Sequence, residues 1–208
     1  WLAASPVVAT AADETPPPAA SLEELDRRIG ERMAEARIPG MGVVVIEGGQ
    51  IVLSKGYGHA DLQSKTPVTE DTVFRAGSIS KSLTAIAAMM LVEEGRLSLD
   101  AKLADLMPEL RFENPWESTH PVRLVHLLEH TAGFDDIDFR HYLIEGKDIT
   151  LAEAVDLYGP YQSRWKPGTM SSYCNAGPVI VGRIIEKLSG QSFPAFMAER
   201  LHGPLGMA

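Results

Sequence analysis

At 208 residues, with 45% apolar side chains and a mean hydropathy of −0.04, the chain is long enough to bury a real core as one large domain or two small ones. Its net charge of −9 argues against a general nucleic-acid or anionic-membrane surface, since both need clustered Lys and Arg. The single cysteine, Cys174, excludes an intrachain disulfide and a Cys-rich zinc site.

Residues 1–11 are small and apolar, and Ala9-Thr10-Ala11 fits an A-x-A cleavage site followed by the polar run Ala12-Asp13-Glu14-Thr15. They are expected to be the tail of a signal peptide, which implies a periplasmic or secreted protein. Residues 16–20, Pro-Pro-Pro-Ala-Ala, are expected to be a tether to a domain spanning 21–208. Ser21-Leu22-Glu23-Glu24 is a capping box, and Leu22, Leu25, Ile29 and Met33 recur at helical spacing, so a helix should run to about Arg37. Met41–Glu47 and Gln50–Lys55 are β-rich runs joined by Gly48-Gly49, the signature of a tight hairpin whose turn needs positive φ. Gly56-Tyr57-Gly58 should end the second strand, residues 59–77 should be loop, and no third strand is evident after residue 60.

A long helix is expected from Ile79 to Glu94, closed by Gly95. Its segment Leu83–Val92 is apolar on all sides, about half the roughly 20 residues a membrane span needs, so it should lie at the domain centre. Further helices are expected over Val122–His130, over Leu151–Tyr158 behind Thr150, over Gly177–Leu188 before Gly190, and from Ser192 to near Gly203-Pro204.

Ser78-Ile79-Ser80-Lys81 opens the long helix. Three residues apart, Ser78 and Lys81 share one face, so hydroxyl and amine can meet. The positive helix N-terminus favours a serine alkoxide and disfavours a charged amine, which suits covalent acyl transfer. A second element, Tyr173-Cys174-Asn175, offers a hydroxyl able to relay protons and an amide able to hold a substrate carbonyl or orient the lysine. Each motif alone is short. S-x-x-K occurs by chance roughly once in a chain of this length, and Asn175 could equally be a turn residue capping the next helix.

Phe74-Arg75-Ala76-Gly77-Ser78-Ile79-Ser80-Lys81-Ser82 resembles the nucleophile motif of class C β-lactamases and their relatives, the D-amino-acid peptidases, family VIII esterases and CubicO-type hydrolases. Glu94–Asp100, Leu127-Leu128-Glu129-His130-Thr131-Ala132-Gly133, the Tyr173-Cys174-Asn175 box and Pro204-Leu205-Gly206-Met207 resemble further runs of these proteins in the same order. The resemblance covers about residues 21–208. It implies a β-lactamase/transpeptidase-like α/β (α+β) fold, an antiparallel sheet flanked by helices plus a helical subdomain. This chain would supply the first hairpin and most of the helical part. It implies Ser78 as nucleophile, Lys81 as its activating partner, Tyr173 as base or relay, and Asn175 as a substrate-side ligand. It also implies a metal-free, cofactor-free reaction on a small acyl substrate: a β-lactam, a D-Ala peptide or an ester. Cys174 stands where these proteins usually carry Ser. Their third motif, Lys or His followed by Thr or Ser and Gly on a late strand, is absent from these 208 residues, so the expectation is an N-terminal portion with half of its oxyanion hole.

Two rival readings remain. His126-x-x-Glu129-His130 matches the inverted zinc-peptidase motif, with Glu186 or Glu199 as a third ligand. A non-catalytic, penicillin-binding-like module that binds peptidoglycan or protein is the other. Asp135-Asp136-Ile137-Asp138 lacks the spacing of a calcium loop and reads as a solvated acidic loop. Trp116, Trp165, Tyr158 and Tyr161 could line a cleft, but such aromatics more often anchor core or loops.

Overall fold

The computed structural model describes residues 17–138, 140 and 148–207, so the expected leader lies outside the described residues. The chain divides into two compact units, one ending at Arg75 and one beginning at Ala76.

In the first unit, Ser21 caps helix α1 (Leu22–Ala36), its Oγ accepting from the Glu24 amide at 3.1 Å. Glu24 reaches back one residue further than the box predicts, to the Ala20 amide at 2.7 Å. Strands β1 (Gly40–Glu47) and β2 (Gln50–Asp61) form the predicted antiparallel hairpin, with Gly48 and Gly49 at φ 56° and 79°. A bulge follows the Val45–Leu53 pair, since Ile46 pairs with Ile51 and leaves Val52 over. Helix α1 is fastened to β2 through Asp26, whose carboxylate accepts from Lys55 Nζ at 2.7 Å and Tyr57 Oη at 2.6 Å.

Two expectations fail here. Strand β2 does not stop at Gly56-Tyr57-Gly58 but continues to Asp61, and a third strand β3 (Thr66–Pro67) pairs with it, giving the order β1-β2-β3. The glycines mark a close approach rather than a strand end: a Cβ on Gly56 would lie 2.2 Å from the Val68 carbonyl oxygen.

In the second unit, α2 (Ile79–Glu93), α3 (Leu103–Leu106), α4 (Leu124–Leu128), α5 (Leu151–Tyr158), α6 (Ala176–Ser189) and α7 (Phe193–Met197) surround one apolar core. A single π turn, Ala198–His202, extends α7. A two-residue parallel ladder joins β4 (Phe112–Glu113) to β5 (Tyr161–Gln162). The caps at Thr150, Ser192 and Gly190 are as the sequence predicts. The central helix is α6, not α2. It buries Ile180, Val181, Ile184 and Ile185 and packs on α2, α4, α5 and α7. A Cβ on Gly177 would sit 2.7 Å from the Leu127 carbonyl oxygen, so a glycine is what lets α4 come this close. Helix α2 buries a single stripe, Thr84, Ala87, Ala88 and Leu91, and leaves Ile86 45% and Met89 43% exposed. Apolarity all round a helix had suggested central burial, but small residues on one face decide which side packs.

Candidate active site

Every side chain of the site belongs to the second unit. Gly77, at φ 54°, turns the chain into α2; the space beside it is open, so it serves by its conformation. Ser78 occupies the N-cap position of α2 but makes no capping bond, which leaves its hydroxyl for other partners. Tight turns from Ile79 to Ala76, Ser80 to Gly77 and Lys81 to Ser78 bring the lysine round onto the face of the serine.

Tyr173 and Asn175 arrive on the segment that enters α6. This segment is pinned to the turn after α4 by the Ser172 amide on the His130 carbonyl at 2.8 Å and the Gly168 amide on Thr131 at 2.9 Å. The four residues picked out from sequence come together. Ser78 Oγ lies 2.6 Å from Tyr173 Oη, and Lys81 Nζ donates to Ser78 Oγ at 3.3 Å and to Asn175 Oδ1 at 2.6 Å. The lysine nitrogen also stands 4.8 Å from the centre of the Tyr173 ring. Asn175 has no side-chain bond to the helix it starts, so capping is not what its amide does.

The bonds from Lys81 and from Ser78 hold the Tyr173 phenol below its ordinary value, because both stabilise a phenolate. His130 stacks against Tyr173 with ring centres 4.6 Å apart, and its Nδ1 accepts from the Cys174 amide at 3.2 Å. A backbone N–H cannot give up its role as donor, so Nδ1 is the unprotonated nitrogen of a neutral ring. Burial, then the nearby Lys81 charge, depresses the His130 pKa and favours that same form.

Two participants escaped the sequence reading. Asp136, dismissed with its acidic run as solvated, accepts from the Asn175 amide N–H at 2.6 Å and from Asn175 Nδ2 at 3.0 and 3.1 Å. His130 was weighed only as a metal ligand or a helix-end residue. An Asp three residues beyond Gly133 carries no signal of its own, because its partner lies 39 positions away.

The two histidines do not stand one helical turn apart on a helix. Helix α4 ends at Leu128, and His130 takes a left-handed φ of 60°. His126 Nδ1 accepts from the Arg123 amide at 3.1 Å, while Glu186 is engaged by Arg183 and by the Phe193 amide. Among the described residues no group of three or more His, Cys, Asp and Glu is placed to hold a metal ion. Cys174 is buried, its thiol donates to the Asp135 carbonyl at 3.1 Å, and burial raises its pKa, so it is held as a small packed side chain and not as a nucleophile. Tyr161 is a core anchor bonded to the Val155 carbonyl, and Trp165 ties its loop to the Met170 carbonyl.

A family profile described as Beta-lactamase matches residues 25–208. The chain belongs to the beta-lactamase family. It is 36% identical over 179 residues to a penicillin-binding protein 4 of Amycolatopsis lactamdurans, which covers 83% of this chain and 44% of that protein. It is 31% identical over 206 residues to esterase EstB of Burkholderia gladioli, covering 91% and 51%. A solved structure of the D-amino acid amidase from Ochrobactrum anthropi SV3 superposes with a TM-score of 0.77 at 26% identity, covering 90% of this chain and 51% of that one. The chain thus spans about half the length of the relatives it matches or somewhat less. The β-lactamase/transpeptidase-like fold expected from the sequence is the fold of these relatives. No helix among the described residues is long and apolar enough to cross a membrane.

Proposed function

We propose that this chain carries the nucleophile half of an exported serine hydrolase that works through a covalent acyl-enzyme on Ser78. One observation carries the reading: Ser78 Oγ is held between Tyr173 Oη at 2.6 Å and Lys81 Nζ at 3.3 Å. Tyr173, kept acidic by the lysine, takes the hydroxyl proton as Ser78 Oγ bonds to the substrate carbonyl carbon. The carbonyl oxygen becomes an oxyanion near the positive N-terminus of α2. On collapse the C–N or C–O bond breaks, and Tyr173 returns its proton to the departing nitrogen or oxygen. Water then attacks the acyl-serine by the same route, with Tyr173 as base, and Ser78 is restored.

The substrates that this chemistry fits are small acyl compounds: a β-lactam, a D-alanyl peptide or an ester. The names of the relatives, a penicillin-binding protein, an esterase and an amidase, span the same range. Residues 21–208 would form part of the hydrolase domain and residues 1–20 its leader and tether.

The test is labelling of the protein by a fluorescent penicillin and by a fluorophosphonate, with Ser78→Ala as the control. Label on the wild type that disappears in Ser78→Ala is the expected result. A wild type that neither reagent labels, or a Ser78→Ala variant labelled as fast as the wild type, overturns the proposal.

A further inference from the structure

Lys81 and Asp136 grip opposite ends of the same amide. An ammonium can only donate and an ionised carboxylate can only accept, so the Asn175 amide has one permitted orientation, with Oδ1 toward Lys81 and Nδ2 toward Asp136. Asp136 also accepts from the Asn175 backbone amide, which fixes the chain at the point where α6 begins. Both Asn175 amide hydrogens would otherwise be candidates for a substrate carbonyl, the role the family resemblance implies. Here Nδ2 already faces a carboxylate at 3.0 Å.

We propose that Asp136 is a positioning residue for the Ser78 nucleophile, acting through Asn175, which thereby orients Lys81 more than it holds substrate. The chain of contacts runs from the Asp136 carboxylate to the Asn175 amide, the Lys81 ammonium, and the two oxygens of Tyr173 and Ser78. It sets a negative charge one amide away from the lysine: near enough to hold the lysine's direction, too far to bond to it. This rests on the acyl-enzyme reading above.

Among the described residues, the charged and titratable groups facing Tyr173 are Lys81 from the start of α2, His130 from the turn after α4, and Asp136 from behind Asn175. Of these, Asp136 favours the protonated phenol. Removing its charge should therefore ease loss of the Tyr173 proton while loosening the lysine.

The experiment measures the second-order rate of acylation by a fluorescent penicillin as a function of pH, with melting temperature, for the wild type, Asp136→Asn and Asp135→Asn. Asp135 is a neighbouring loop carboxylate paired with Arg164 and serves as the control. Expected for Asp136→Asn is a fall of up to about 10²-fold in the plateau rate, as for a nucleophile slightly misplaced. Its acid limb should move to lower pH, while Asp135→Asn follows the wild type in both. Asp136→Asn reacting at the wild-type rate with an unmoved limb overturns the inference and leaves the acyl-enzyme reading standing. So does a rate reduced by one factor at every pH alongside a lower melting temperature, since that is what mere loss of structure gives. A wild type that takes no label overturns both proposals together.

Discussion

Each unit sets an aspartate, a lysine and a tyrosine close together, put to different ends. In the first, Asp26, Lys55 and Tyr57 join helix α1 to strand β2, with the lysine 5.1 Å from the tyrosine ring centre. In the second, Lys81 and Tyr173 bond to Ser78, with the lysine 4.8 Å from the ring centre, and Asp136 stands behind Asn175. What differs is the place of the carboxylate. Asp26 bonds directly to both partners, and burial together with that carboxylate pushes the Tyr57 phenol up to about 12. Asp136 is held off by the Asn175 amide, while Tyr173 bonds to a serine and has the lysine beside its ring, and these two neighbours lower its phenol. A tyrosine beside a lysine is thus held above or below its ordinary value according to its burial and to whether a carboxylate touches it.

The comparison breaks most visibly at the lysines. Lys81→Met should slow acylation of Ser78 by about 10³-fold or more, because it removes both the partner that keeps Tyr173 acidic and a bond to the nucleophile. Lys55→Met should leave the acylation rate unchanged and lower the melting temperature slightly, since Lys55 lies in a largely exposed ion pair. Rates of penicillin or fluorophosphonate labelling, read beside thermal melts, distinguish the two. Similar rate losses in both variants would mean that the two trios do not differ in the way argued.

A sharper intervention exchanges the amide and the carboxylate. In the double variant Asn175→Asp with Asp136→Asn, the bond from Lys81 and one of the two side-chain bonds between positions 136 and 175 can still form, but the carboxylate now touches Lys81 as Asp26 touches Lys55. The expected outcome is a folded protein with acylation slowed by roughly tenfold to a hundredfold and its acid limb moved to higher pH, because a nearer negative charge holds the Tyr173 proton. This is the opposite direction from Asp136→Asn alone. If both variants shift the limb the same way, charge placement is not what tunes Tyr173.

Much of this was legible in the sequence because its signals are local. Caps at Ser21, Thr150, Ser192 and Gly190 bound helices where they were expected, and the three-residue spacing of Ser78 and Lys81 puts them on one face whatever surrounds them. Tyr173 and Asn175 were found by their likeness to a family box, since nothing in their spacing ties them to a residue 95 positions earlier. The failures share one cause. Gly56 looks like a strand end until the neighbouring chain that needs its missing Cβ is in view. The β4–β5 ladder is two residues long, too short for any periodicity. Asp136 reads as one more acid in a solvated run, because its meaning lies entirely in a distant partner. His130 reads as helical until its left-handed backbone breaks the spacing on which a shared metal depends.

The smallest effect lies in the first unit, where the comparison becomes a matter of stability. Asp26 is held below the ordinary carboxylate value, first by Lys55 and then by Tyr57. A depressed carboxyl contributes stability that is present above its unfolded value and lost as pH falls through the folded one, so this part of the trio weakens in acid. Tyr57 is raised from 10 to about 12, first by burial and then by Asp26. The folded state therefore keeps this proton longer than the unfolded chain, and the associated stability is present below pH 10 and lost between pH 10 and about 12. Other titrating groups contribute to both limbs, so the quantity to measure is the difference between wild type and variant in circular-dichroism melts across the pH range. Tyr57→Phe should cost about 1 kcal/mol near neutrality, the value of one hydrogen bond, and the cost should shrink toward pH 12 as the wild type loses its phenol proton. Asp26→Asn should cost least in acid, where the wild-type carboxylate is already being protonated. A Tyr57→Phe difference that stays constant from pH 8 to 12 would show that the phenol is not held by its fold, and the contrast with Tyr173 would then rest on the second unit alone.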